Sequence, residues 1–214
     1  GRSYLGHYRL MLEYIDHIES ATSPTLVLLH GYGSNKEDLF GLHPYFQGLN
    51  LVCFQAPIVM DMGGYAWYSI DWNNGAKIIN SEEVATAKSL VLDAIAEWTA
   101  ANQINGPMII GGFSQGAILS TAVYTGGHKA DGYVFLSGYA LPEWYDLLSS
   151  FESKTPVFQS HGTEDPVIPF EWAQATSELL AANPNYNFYE YAMGHNLNMP
   201  CIVKLQEFIK NTLT

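Results

Sequence analysis

The chain has 214 residues, enough to bury a sizeable core in one domain. Its 48% hydrophobic and 14% charged residues belong to a globular protein rather than a disordered one. With 21 acidic side chains against 9 basic, the net charge of −12 excludes electrostatic binding of nucleic acid or of an anionic membrane, both of which need clustered Lys and Arg.

Residues 8–17 alternate loosely and predict a first strand, turned at residues 20–24. The unbroken apolar run Thr25-Leu26-Val27-Leu28-Leu29 predicts a central strand buried on both faces. It ends in the Gly-rich loop His30-Gly31-Tyr32-Gly33, after which residues 36–42 predict a short helix and residues 50–55 another buried strand. Cys53 lies in that strand and Cys201 in the last helical stretch. Two cysteines without metal-ligand spacing do not make a disulfide framework, so reduced core thiols are expected, although sequence alone leaves a bond between them open.

Residues 58–80 form the longest irregular stretch, with Tyr65, Trp67, Tyr68 and Trp72 among glycines. So many large apolar groups on a loop either cover a surface or line a ligand site. Residues 80–102 make the clearest helix, capped by Asn80 with Glu83 or alternatively by Ser81, with an apolar stripe of Val84, Ala87, Val91, Ala94, Ile95 and Trp98. A strand leading to Phe113, a helix after Ser114 and strands at 132–137 and 156–160 follow. A short helix at 142–150, a helix at 169–183, a strand at 187–191 and a closing helix at 200–213 complete the chain. This alternation, without repeats or linkers, predicts an α/β fold over residues 1–214 as a single domain: a mainly parallel sheet between helices, with no separate cap. No run approaches the ~18 apolar residues of a membrane span. The first residues lack a basic-then-apolar leader, and a cytoplasmic protein without stable membrane insertion is expected.

The chemistry centres on Gly112-Phe113-Ser114-Gln115-Gly116, a Gly-x-Ser-x-Gly pattern between an apolar strand and helix-forming residues. A nucleophile on so sharp a turn takes strained backbone angles, and side chains beside it would collide with the neighbouring strand and helix. Ser114 is the candidate nucleophile. Its hydroxyl needs a base, usually a His oriented by a carboxylate. In an open parallel sheet such groups sit at the C-terminal ends of strands. His195 follows the last strand, whereas His30 and His161 each precede Gly in a tight turn where a ring braces the loop. Between Ser114 and His195 in sequence, Glu164 and Asp165 compete for the carboxylate role, and Asp165, set against Pro166, is favoured. An oxyanion hole needs two backbone N–H groups. Gln115 supplies one and the Gly-rich loop the other, most simply at Tyr32. That loop lacks the patterns of a phosphate cradle.

These segments, together with Ala56-Pro57, Trp67-Tyr68, Leu136-Ser137-Gly138, the run from His161 to Pro169, and Gly194-His195, fall in an order that resembles the phospholipase/carboxylesterase family of α/β-hydrolases, which includes acyl-protein thioesterases. The resemblance implies a serine esterase with no metal and no cofactor, with Ser114, Asp165 and His195 catalytic and the Tyr32 and Gln115 amides in the oxyanion hole. Its expected partner is a small acyl ester or lysophospholipid, with a homodimer left open. Tyr65, Trp67, Tyr68 and Val167 are the expected substrate contacts.

Overall fold

The computed structural model describes residues 11–214. In chain order, β1 (Tyr14–His17) and β2 (Thr25–Leu29) lead to the short helix α1 (Lys36–Phe40), and β3 (Asn50–Phe54) follows. Two small hairpins come next, β4 (Ile58–Val59) with β5 (Tyr65–Ala66) and β6 (Ile70–Asn73) with β7 (Ala76–Ile79). The long helix α2 (Ser81–Ala101) precedes β8 (Met108–Phe113), α3 (Gln115–Thr125) and β9 (Gly132–Leu136). The chain ends with α4 (Tyr145–Ser150), β10 (Val157–Gly162), α5 (Phe170–Leu180), β11 (Tyr186–Tyr191) and α6 (Met199–Leu213).

Among the described residues, seven strands form one sheet in the order β1-β3-β2-β8-β9-β10-β11. β1 pairs antiparallel with β3 at one edge, and every other pair is parallel. The apolar runs are explained by the period of two along a strand. In β2, Val27 and Leu29 face a core built with α2, α3 and Leu180 of α5. Leu26 and Leu28 face a second core with Leu39 of α1 and Cys201, Leu205 and Ile209 of α6. A strand that must be apolar on both sides cannot alternate, and it reads as a continuous run.

Two expectations need correction. The first strand begins only at Tyr14; residues 8–10 of the expected span lie outside the described residues. Residues 58–80 are not one irregular loop but two hairpins. The second turns through Asn74 and Gly75, at φ 50° and 78°, with Asn73 paired to Ala76. A two-residue Asn-Gly turn with both φ positive matches the twist of the strands it joins, so the signal was present in the sequence. The two cysteines are buried and free, and burial pushes the Cys53 thiol up.

The sheet's centre is set by close backbone contact. A Cβ on Gly116, in the first turn of α3, would lie 1.9 Å from the carbonyl oxygen of Leu29, and one on Gly112 would lie 2.6 Å from the same atom. Gly116→Ala should therefore force α3 away from β2 and lower stability by at least ~1–3 kcal/mol, the usual cost of overpacking. Urea unfolding checks this; an unchanged midpoint would mean that the helix moves freely.

Candidate active site

β8 ends at Phe113 and α3 begins at Gln115, so Ser114 alone makes the turn, at φ 58° and ψ −118°. A non-glycine residue there stores about 1–3 kcal/mol of strain. The strain is held from both sides: the Ser114 N–H donates to Leu136 O of β9 at 2.8 Å, and its carbonyl accepts the Ile118 N–H at 3.0 Å. The hydroxyl is left on the C-terminal rim of the sheet, at the end of α3 where free amides point outward.

Two other strand ends converge on it. Past β11, His195 faces Ser114 with Nε2 2.9 Å from Oγ. Past β10, Asp165 Oδ2 lies 2.7 Å from His195 Nδ1. Nδ1 must carry the proton in that contact, because an ionised carboxylate only accepts. Nε2 is thereby left as acceptor toward the serine hydroxyl. The carboxylate is fixed in turn, since its Oδ1 accepts the N–H groups of Val167 and Ile168 at 2.8 and 2.9 Å. Glu164 is exposed, and its carboxylate takes no part in these hydrogen bonds. The Phe113 ring packs 4.9 Å from the His195 ring, centre to centre.

The other two strand-end histidines brace loops. His30 Nδ1–H donates to Gly31 O at 2.8 Å and its Nε2 accepts the Ala56 N–H at 3.0 Å. His161 Nε2–H donates to Ile168 O at 2.8 Å and stands 3.4 Å from Asp165 Oδ2. Burial lowers the pKa of both rings below the ordinary 6.5. His161 thus backs the turn that holds Asp165, a contact that sequence order alone does not reveal.

The Gly-rich loop lies against the nucleophile, for a Cβ on Gly31 would come within 3.2 Å of Ser114 Cβ. Tyr32 is the next residue of that loop and is exposed. The loop is tied down by β5, as Gly33 N–H donates to Tyr65 O and Tyr65 N–H to Ser34 O. The Gln115 side chain clamps the segment that follows. Its carbonyl accepts the Trp67 N–H at 2.7 Å and its amide donates to Tyr68 O at 2.8 Å.

This clamp corrects the expected substrate contacts. Trp67 and Tyr68 are fully buried, and the Trp67 indole N–H donates to His30 O at 2.8 Å, so both face inward to hold the loop. The Tyr65 ring lines a separate groove with Gln55, Ala56, Pro57 and Val59. Val167 alone of the four is strongly exposed, beside Asp165. A cavity of about 390 Å³ is lined instead by Lys77, Ile79, Tyr139, Leu141, Glu143 and Trp172, among others. Its walls come from the segment after β9, the start of α5 and the β6–β7 hairpin, and Ser114, Asp165 and His195 are not among its lining residues. Tyr139 follows Gly138, where a Cβ would lie 3.1 Å from Ser114 O; Trp172 opens α5 just past the Asp165 turn; Lys77 and Ile79 lie on the hairpin after Tyr68. Tyr139 could have been found from sequence, since it lies just past the strand neighbouring the serine strand.

A family model described as phospholipase/carboxylesterase matches residues 12–213. The chain belongs to the phospholipase/carboxylesterase family. It is thus a hydrolase with the α/β-hydrolase fold. It is 31% identical over 157 residues to acyl-protein thioesterase 1 of Kluyveromyces lactis, covering 69% of each chain. The Saccharomyces cerevisiae protein of that name is 29% identical over 218 residues, covering 89% of this chain and 93% of its own. Among solved structures, esterase PE8 matches with a TM-score of 0.81 at 26% identity, covering 95% of this chain and 100% of that one. Among the described residues of this family member, no helix is long and apolar enough to cross a membrane.

Two outcomes are expected. Trp67→Phe removes the donor to His30 O and should cost ~1–3 kcal/mol of stability. It should also lower hydrolysis of short and long acyl esters by one common factor; a loss confined to long chains would return Trp67 to the substrate cleft. The second outcome concerns pH. With His30 and His161 held neutral, the unfolded chain binds more protons than the folded one below about pH 6.5. Stability should therefore fall as pH drops through that value, and His161→Asn should shrink the fall. Urea midpoints above and below the window measure it.

Proposed function

We propose that this hydrolase is a serine esterase, working as a single domain, that cleaves small acyl esters or lysophospholipids through an acyl-enzyme. The observation carrying the reading is the unbroken contact chain from Ser114 Oγ through His195 to Asp165, at 2.9 and 2.7 Å. In this mechanism Ser114 Oγ attacks the ester carbonyl carbon while its proton passes to His195 Nε2. The carbonyl oxygen becomes an oxyanion facing the Tyr32 and Gln115 amides. Collapse breaks the bond to the alcohol oxygen, which takes the proton from His195. Water, deprotonated by His195, then attacks the acyl carbon and frees Ser114 and the acid. Asp165 stays ionised and holds the imidazolium that forms. Exposed Val167, beside Asp165, is a substrate contact in this reading.

The second reading is a thioesterase, favoured by the names of the yeast relatives. Its chemistry is the same with sulfur as the leaving atom. Paired kcat/KM values for an acyl ester and the matching thioester distinguish the two.

Ser114→Ala should abolish fluorophosphonate labelling and lower kcat by about 10⁶-fold, as for triad serines elsewhere. Asp165→Asn should cost about 10⁴-fold through the wrong imidazole tautomer, while Glu164→Gln keeps most activity. Substantial turnover by the alanine variant would remove Ser114 from the mechanism, and a reversed order of the two amide variants would hand the role to Glu164.

A further inference from the structure

The cavity between the segment after β9, the start of α5 and the β6–β7 hairpin holds a charge that ester chemistry does not use. Lys77, on β7, places its ammonium 5.7 Å from the centre of the Tyr139 ring, and both line the cavity. Lys36 and Lys204 pair with glutamates, but among the described residues no carboxylate forms an ion pair with Lys77. Among the described residues Lys88, Lys129, Lys154 and Lys210 form no ion pair either, and what sets Lys77 apart is its place over a ring on the wall of a cavity. The surrounding walls are largely apolar: Ile79, Leu141, Pro142 and the Tyr139 and Trp172 rings, which pack 4.9 Å apart. The carboxylate on the lining, Glu143, accepts the Ser81 hydroxyl and makes no ion pair with the lysine. An ammonium drawn partly out of water is already destabilised, as the downward push of burial on Lys77 reflects. It gains most from an anion that enters with an apolar chain.

We propose that Lys77, set over Tyr139, is a specificity residue that binds an anionic group at the far end of the substrate. The substrate class is then an ester carrying a terminal carboxylate or comparable anion, joined to the reacting carbonyl by a short apolar chain. About 390 Å³ is room for such a chain and its head group. The inference rests on the serine-esterase reading and adds which esters that site selects.

The test compares kcat/KM for mono-p-nitrophenyl adipate and its methyl-capped counterpart in the full chain and in Lys77→Met. The preference for the free acid should be greater in the unaltered protein by roughly 10- to 100-fold, the scale of one charge-assisted hydrogen bond. Lys77→Arg should restore most of it, and added salt should erode it. Repeating the comparison with 4-acetoxybutanoate and its methyl ester, followed by acetate release, shows whether the anion belongs on the acyl or the alcohol side. Equal preferences in the unaltered protein and Lys77→Met on both series would overturn the proposal. To separate this from failure of the esterase reading, calorimetry follows monomethyl adipate binding to Ser114→Ala with and without Lys77→Met, where no turnover is needed. Loss of affinity on removing Lys77 upholds the subsite even if turnover proves absent. Unchanged affinity sinks it while leaving any measured esterase activity intact.

Discussion

The structure depends on one strained residue. Ser114 is held at φ 58° between the end of β8 and the start of α3, and that turn fixes where the helix must go. Once α3 leaves the strand at this angle, its first turn runs against the Leu29 carbonyl, closer than any side chain would permit, and Gly112 and Gly116 are the answer. The sheet around it is apolar on both faces, so the cost of the turn is spread over two packed cores. A second serine in the left-handed region, Ser137 at φ 54°, follows the adjacent strand β9, with its N–H donating to Ser160 O at 2.9 Å. Two strained residues thus sit on neighbouring strand ends, where the surrounding ladders over-determine the backbone.

From that turn the polar connections spread outward in two directions. Toward β10 and β11 they run through His195 to Asp165, then to the Val167 and Ile168 amides, with His161 anchored on the Ile168 carbonyl behind them. Toward the N-terminal half they run through the Gln115 side chain to the backbone of Trp67 and Tyr68, and through the Trp67 indole to His30. A residue whose main chain opens the helix thus uses its side chain to hold the hairpin segment. Buried amides and imidazoles left without partners would each carry a desolvation penalty, so these bonds lock the loops rather than merely decorate them.

The same clamp shapes the cleft. With Trp67 and Tyr68 committed to the interior, the walls of the 390 Å³ cavity are made by Tyr139, Leu141 and Trp172 on one side and by the β6–β7 hairpin on the other. Lys77 reaches the cavity only because Asn74 and Gly75 fold that hairpin tightly back. The fold brings Ser114, His195 and Asp165 together, and the hairpin sets Lys77 over Tyr139.

Local pattern and order along the chain determined a great deal. The runs in β2, β3, β8 and β9 announce buried strands because a strand covered on both sides must be apolar throughout. The Gly-x-Ser-x-Gly pattern announces the elbow because only glycine tolerates such contacts, and Asn80 announces the start of α2 because its side chain accepts the Glu82 and Glu83 amides. The positions of Ser114, Asp165 and His195 were legible for the same reason: strand ends in a parallel sheet share one rim. The roles of Tyr65, Trp67 and Tyr68 were not legible. An aromatic ring on a loop has the same composition whether it turns toward a ligand or toward the core. That choice lies with partners 37 to 48 residues away, His30 and Gln115. Nor could the sequence bring Lys77 over Tyr139, two residues far apart in the chain whose contact exists only once the hairpin and the end of β9 share a cavity. Periodicity records what each residue must face, but only tertiary packing decides which distant group it meets there.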